Sequence, residues 1–307
     1  MTQRRVHIDT DPGLDDLLAL ALAFASPELS IEGLTTVAGN AALPVVTANA
    51  RRFCALAGAD VPIGVGANQP LALTPIDAAH FHGKDGRRGA PLPEVPDANL
   101  APARDVLRHS LVSRGVESVI ALGPLTNVAT LAVEDPKLFA NAEVIWMGGT
   151  LGAGNVTAKA EYNAFADPRA LRILLRSGVR LRMVGLEVTS RVSLDAARAS
   201  DHDFGAGARG QLLGAAVRGL CDAEKSLSGA ARAVLHDPAA VAAALAPELF
   251  SFAPRALDVT DREGAERGRI RAKSDGGAAV EYAVGARAAD VVELFLERVT
   301  RWAKAAP

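Results

Sequence analysis

Four aspartates stand within the eight residues Asp9 to Asp16, DTDPGLDD, directly after a strand-like run. Asp11 and Asp15 are four apart at a helix start, so they share a face, and Asp16 lies about 100° round from Asp15. Like charges this close repel. A bound cation relieves that repulsion, and hard carboxylate oxygens select calcium or magnesium. A simpler reading makes Asp11 a helix cap with Pro12 in the first turn. Asp-Pro opens helix-like runs again at Asp135-Pro136, Asp167-Pro168 and Asp237-Pro238. A cap accounts for Asp11 and leaves Asp9, Asp15 and Asp16 unexplained.

Other polar groups recur at the ends of strand-like segments. TTVAGN (Thr35–Asn40) ends in an amide that could bind a hydroxyl or close a turn. GPLTN occupies Gly123–Asn127. MGG (Met147–Gly149) leads into AEYNAFADP (Ala160–Pro168), where Glu161 and Asn163 are polar groups for which a loop has little structural need. His236 and Asp237 stand at the head of the apolar run LHDPAAVAAAL, where a cap is again the simpler reading.

The elements that must position these groups alternate. Strands are expected at Val6–Asp9, Ile31–Val37, Pro62–Val65, Ser118–Leu122, Ala142–Trp146 and Arg180–Gly185. Helices are expected between them at Leu14–Ser26, Pro44–Ala57, Ala101–Arg114, Leu125–Val133 and Pro168–Ser177. A Pro/Gly-rich loop, 67–100, carries FHGKDGRRG. Such alternation predicts an α/β fold: an open, mostly parallel, doubly wound, Rossmann-like sheet with helices on both faces. Helical segments then fill about 192–246. Short strands at Ala256–Val259, Arg267–Ala272 and Ala279–Val284 and a helix at Ala288–Trp302 form a C-terminal helical and strand extension. With no repeat or low-complexity linker, residues 1–307 read as a single domain. In open sheets of this kind ligands sit at the carboxyl ends of the strands, where these motifs fall.

Composition narrows the function. A formal net charge of −2 on 307 residues provides no global basic field for nucleic acid, and suits a small, locally read ligand. Leu14–Ala25, the most apolar helix, is too short to span a bilayer and contains Asp15 and Asp16. The two cysteines, Cys54 and Cys221, belong to no CxxC or Cys/His cluster and read as buried thiols. With no secretory leader pattern at the N-terminus, the expected location is the cytoplasm.

Taken together, IDTDPGLDD (Ile8–Asp16), VAGN (Val37–Asn40), GPLTN, MGG, EYNAFADP and HDPAAVAAAL (His236–Leu245) resemble the inosine–uridine-preferring nucleoside hydrolases, in order and spacing, over nearly the whole chain. The resemblance implies calcium-dependent hydrolysis of the N-glycosidic bond of ribonucleosides, giving free base and ribose. It implies Ca2+ at the pocket floor, held by Asp11, Asp16, Asp237 and the main-chain carbonyl of Leu122, with Asp11 the general base that activates water. Leu122 stands where the family often has threonine, which a carbonyl ligand tolerates. Asp15, Asn40, Asn155, Glu161 and Asn163 resemble the ribose contacts, with Met147 close to the sugar and Tyr162 a further substrate-binding residue. His236 matches a histidine that protonates the departing base, and His82 matches a pocket histidine. The purine-specific branch places tryptophan at the His236 position, and the chain's tryptophans, Trp146 and Trp302, lie elsewhere. Several relatives have a tyrosine on the helix before the HD pair, which CDAEKSLSGAARAVLHD lacks. Homodimers or homotetramers are the implied assembly.

The chemistry is intelligible from first principles. Breaking an N-riboside builds positive charge on the sugar. A site for it must grip ribose, stabilise that cation and deliver water, and a calcium ion would orient the water and lower its pKa. Three other functions compete: a pyrimidine-selective hydrolase, a catalytically silent ribose-binding protein, and a magnesium phosphatase of the haloacid dehalogenase type. The phosphatase pattern has Gly-Thr after Asp-x-Asp, where this chain has Pro12-Gly13.

Overall fold

The computed structural model describes residues 3–273 and 279–305. In chain order the elements are β1 (Arg4–Thr10), α1 (Leu14–Phe24), β2 (Leu29–Thr36), α2 (Leu43–Ala57), β3 (Ile63–Val65), α3 (Ala79–His82), β4 (Ala101–Pro102), α4 (Ala103–Val112), β5 (Ser118–Ala121), α5 (Thr126–Glu134) and β6 (Glu143–Met147). There follow α6 (Tyr162–Ala166), α7 (Pro168–Ser177), β7 (Arg180–Val184), α8 (Leu186–Thr189), β8 (Ser193–Asp195), α9 (Ala196–Asp201), α10 (Ala208–Ser228), β9 (Arg232–Val234) and α11 (His236–Leu245). The chain closes with β10 (Phe250–Val259), β11 (Ile270–Ala272), β12 (Ala279–Ala286) and α12 (Ala288–Lys304).

Ten strands form one sheet in the order β11-β10-β12-β7-β6-β5-β1-β2-β3-β4. Pairing is parallel from β12 across to β4, and β10 runs antiparallel to both its neighbours. This is the expected α/β architecture, with the C-terminal strands extending the same sheet. Side chains alternate between two cores. Ile145 and Met147 of β6 face the layer built by α1, α2, α10, α11 and α12, whereas Val144 and Trp146 face α4, α5 and α7. Burial on both faces is why these strands read as continuous apolar runs.

The register creates the site. Asp9 lies beside Thr35 of β2 and Ala121 of β5, so β1, β2 and β5 end level with one another. The chain runs outward from β1 to β4, then returns to place β5 on the other side of β1. That reversal opens a crevice at the carboxyl ends. Helix α1 lies under it, buried from Leu14 to Ala23, and packs on the alanine-rich α11.

Local structure departs from the sequence expectation in several places, among them the short strand β4 where a helix is expected to begin and the short helices α6 and α8. The loop 67–100 contains the one-turn helix α3. The stretch 192–246 contains β8 and β9, which pair antiparallel as a separate small sheet. Strand β10 begins at Phe250, six residues before the expected Ala256. Three-residue strands and a single helical turn are too short to carry a period, which is why pattern alone does not reveal them.

Candidate functional site

The sharp turn after β1 carries the first carboxylates. The expected cap is corrected: Gly13, not Asp11, is the N-cap of α1, and Asp16 satisfies the helix start by accepting from Gly13 N at 3.0 Å and Asp11 N at 3.2 Å. Asp16 also accepts from Thr10 Oγ1 at 2.5 Å and Asn40 Nδ2 at 2.7 Å. Asp11 points away from the helix, and its Oδ2 accepts from Asn40 N at 2.7 Å. Asn40 thus ties both carboxylates down, with its Nδ2 also reaching Asp11 O at 3.1 Å.

Two motif glycines make room for Asp11. A Cβ on Gly39 would lie 2.1 Å from Asp11 Oδ2, and one on Gly123 would lie 2.4 Å from Oδ1. Beneath them Asn127 of GPLTN donates to Asp9 Oδ1 at 2.8 Å and Thr36 O at 3.0 Å. Asp9 lies deeper, in a buried chain in which His7 Nε2 meets Thr35 Oγ1 at 2.9 Å and Thr35 donates to Asp9 Oδ1 at 2.5 Å.

Asp237, in the first turn of α11, meets the α1 carboxylates. Asp15, Asp16 and Asp237 are buried and offer oxygens that all lie within 4.8 Å of one another. Asp11 does not join that tight group, but its charge acts on Asp237. Burial first, and then the neighbouring aspartates, push the Asp11, Asp15 and Asp237 carboxyls up from the usual carboxylate range. Asp11 Oδ1 and Asp15 Oδ1 are buried with no hydrogen-bond partner. Unpartnered carboxylate oxygens in a buried acidic cluster fit a hard divalent cation, which would supply the missing charge and coordination.

Above the cluster lies a cavity of about 400 Å³. Its wall includes Asp15, Asn40, His82, Leu122, Met147, Asn155, Glu161, Tyr162, Asn163, His236 and Asp237; Asp11 and Asp16 are not part of the wall. The Leu122 carbonyl accepts from Asn163 Nδ2 at 2.7 Å, which also reaches Met147 O at 3.0 Å. Glu161 caps α6, accepting from Asn163 N, Ala164 N and Gly149 N at 2.7–3.0 Å. Gly149 supplies the last of these from a left-handed backbone, φ +80°. Tyr162 OH donates to Gly39 O at 2.6 Å, and its N donates to Asn155 Oδ1 at 2.9 Å. The 148–163 loop is thereby fastened to the β2 end.

Three histidines line the cavity, His80, His82 and His236. His82 Nδ1 accepts from Leu14 N at 3.1 Å, so its proton sits on Nε2, 4.0 Å from Asp15 Oδ1. Burial lowers His82 to about 3. His236 Nδ1 lies 2.8 Å from Thr189 Oγ1, and burial and then Arg232 lower its pKa to about 4. Sequence reasoning missed the rest of the wall, including Phe81, Leu220, Glu224, Leu227 and Val234. These come from α3, α10 and β9. The spacing of Leu220, Glu224 and Leu227 on one helix face was the available signal, but nothing local says which face of α10 looks inward.

Fold and site together define an α/β enzyme with a carboxylate-floored pocket at a sheet switch point, and relatives narrow that class. Residues 6–294 match the family described as inosine-uridine preferring nucleoside hydrolase. The non-specific ribonucleoside hydrolase RihC of Klebsiella pneumoniae is 36% identical over 252 residues, 81% of either chain. The plant nucleoside hydrolase PpNRh1 superposes with a TM-score of 0.89 at 31% identity, covering 97% of this chain and 99% of that one. A purine-preferring ribonucleoside hydrolase from Gardnerella vaginalis gives 0.91 at 28% identity, covering 99% and 100%. The chain belongs to the inosine-uridine preferring nucleoside hydrolase family and is an N-ribohydrolase. No helix among the described residues is long and apolar enough to cross a membrane.

Proposed function

We propose that the chain hydrolyses the N-glycosidic bond of ribonucleosides in a calcium-dependent reaction, with residues 1–307 acting as one catalytic domain. The observation that carries this reading is the buried group Asp15, Asp16 and Asp237, with Asp15 Oδ1 unpartnered, and behind it Asp11, whose Oδ1 is also buried without a partner and whose charge acts on Asp237. Asp11, Asp16, Asp237 and the Leu122 carbonyl would hold the ion. When bound, calcium supplies positive charge that keeps these carboxylates ionised, binds oxygen ligands of the substrate and acidifies water.

The chain's own residues do the rest. Asp15, Asn40, Asn155, Glu161, Tyr162 and Asn163 bind the ribose hydroxyls, with Met147 against the sugar. A deoxy sugar would leave these buried groups unpaired, which is heavily penalised. Asp11 accepts a proton from the attacking water. The water oxygen bonds to C1′ as the C1′–N bond breaks, and the electron pair leaves with the base. His236, oriented by Thr189, gives the base its proton and regains one through solvent as Asp11 releases the proton it took, so that water and nucleoside become ribose and free base. His82 presents Nε2–H towards Asp15 and the sugar side.

The cavity is of ordinary ligand size, and the reading covers purine and pyrimidine ribosides. The thiols of Cys54 and Cys221 are free and buried, in keeping with a cytoplasmic enzyme. Assembly as a homodimer or homotetramer belongs to the same reading, to be checked by sedimentation. Turnover of inosine, adenosine, uridine and cytidine against their 2′-deoxy forms tests the function. Free base should appear from the ribosides, and equal rates on the deoxy forms would overturn the ribose grip.

A further inference from the structure

The cavity has two chemically different ends. Carboxylates and amides crowd the floor at the strand ends. At the other end α10 presents Leu220, Glu224 and Leu227, spaced four and three apart and therefore on one helix face. Phe81 and Val234 join them. Among the described residues Glu224 is the one carboxylate of this apolar end. Its side chain is only 17% exposed. Its Oε1 accepts from Ser228 Oγ at 2.9 Å and lies 3.4 Å from Arg232 Nη2. No donor among the described residues reaches Oε2.

If ribose lies on the carboxylate floor, the base projects towards this end. Apolar walls suit a flat heteroaromatic ring, and an ionised carboxylate can only accept hydrogen bonds. A ring covering Glu224 without giving it a donor would leave Oε2 desolvated and without a partner, whereas an N–H would form a charge-assisted bond. We propose that Glu224 reads the base: its free oxygen accepts from an N–H on the ring edge remote from the sugar, so the chain selects nucleosides that present such a donor there, guanosine with its adjacent N1–H and amino group above all. This rests on the hydrolase reading of the same site. Arg232 and Ser228 hold the carboxylate in place and leave that oxygen for the ligand.

The test uses the full chain and its Glu224→Leu and Glu224→Gln variants. Substrates are guanosine, inosine, purine riboside (which has no N–H on that edge) and 4-nitrophenyl riboside as the reference without a base. Each leaving group's intrinsic ability is the same for every variant, so it cancels when selectivities are compared between them. The preference for inosine over purine riboside in kcat/KM should fall about 10- to 100-fold in Glu224→Leu, mainly through KM, with a larger fall for guanosine. Glu224→Gln, which keeps a neutral acceptor, should lie between. Equal losses on all three purine nucleosides and on the reference would overturn the proposal. Failure of the unaltered chain to turn over even 4-nitrophenyl riboside would instead overturn the hydrolase reading beneath it.

Discussion

The floor of the cavity and its α10 end are built on opposite plans. Near the floor three carboxylates are fixed by backbone or amide donors: Asp16 by Gly13 N and Asn40 Nδ2, Asp11 by Asn40 N, and Glu161 by Gly149 N. The α10 end is mainly apolar, and its one carboxylate among the described residues is held by two neighbours, Ser228 and Arg232. The difference teaches that the fixed chemistry sits on rigid strand ends, where positions are set by sheet register. The proposed selectivity would sit on a helix face, where a side chain can change without disturbing the groups at the floor.

The largest effect should come from the floor. Asp11→Asn keeps the shape but removes the proton acceptor, and general-base loss costs about 10²–10⁴ in rate. A greater loss is expected because Asp11 also belongs to the proposed ion site. Steady-state turnover of inosine checks it, and a variant with near-normal kcat would remove Asp11 from the role of base.

The second effect should be selective. His236→Ala should slow inosine by about 10²–10⁴, the range for a lost general acid. It should slow 4-nitrophenyl riboside far less, since that leaving group departs without a proton. Equal losses on both would assign His236 to packing or ribose binding and erase the functional boundary between the two ends.

The smallest effect concerns stability beneath the floor. His7 is fully buried, and burial lowers its pKa to about 3 from an ordinary 6.5. The unfolded chain therefore takes up a proton at His7 below pH 6.5 while the folded chain does not. The contribution is intact above 6.5 and is lost as pH falls towards 3, by about 1.4 kcal/mol for each pH unit. Asp9, raised to about 6 mainly by burial, acts in the opposite sense. The comparison is therefore between the chain and its His7→Gln variant. Denaturant midpoints should show the stability difference between them shrinking as pH falls from 6.5 to 4. A difference constant across that range would contradict it.

These contrasts also account for what the sequence made legible. Asp11, Asp15, Asp16 and Asn40 follow strands within a few residues, so local spacing placed them at the carboxyl edge before any tertiary information. The β1–β2–β5 register then does what the alternating pattern requires. The simpler reading of Asp11 as a cap fails because Gly13 is the N-cap and Asp16 takes the helix start, which spacing alone does not reveal. Glu224 and Phe81 escaped for another reason. Their roles depend on how α10 and α3 lie over α1, which involves residues far apart in sequence and leaves no local period to read. The HD pair alone reads as a helix start, and Asp237 entered the site only through the resemblance that HDPAAVAAAL carries. Its closeness to Asp15 and Asp16 follows from the packing of α11 on α1.

The central claim is that buried carboxylates with unpartnered oxygens make this a calcium site on which nucleoside hydrolysis depends. Elemental analysis of the purified chain, coupled to inosine turnover before and after chelation, tests it most directly. One calcium per chain is expected, with loss of turnover on chelation and recovery when calcium is returned. Zinc in its place, or full turnover with no metal bound, would contradict it.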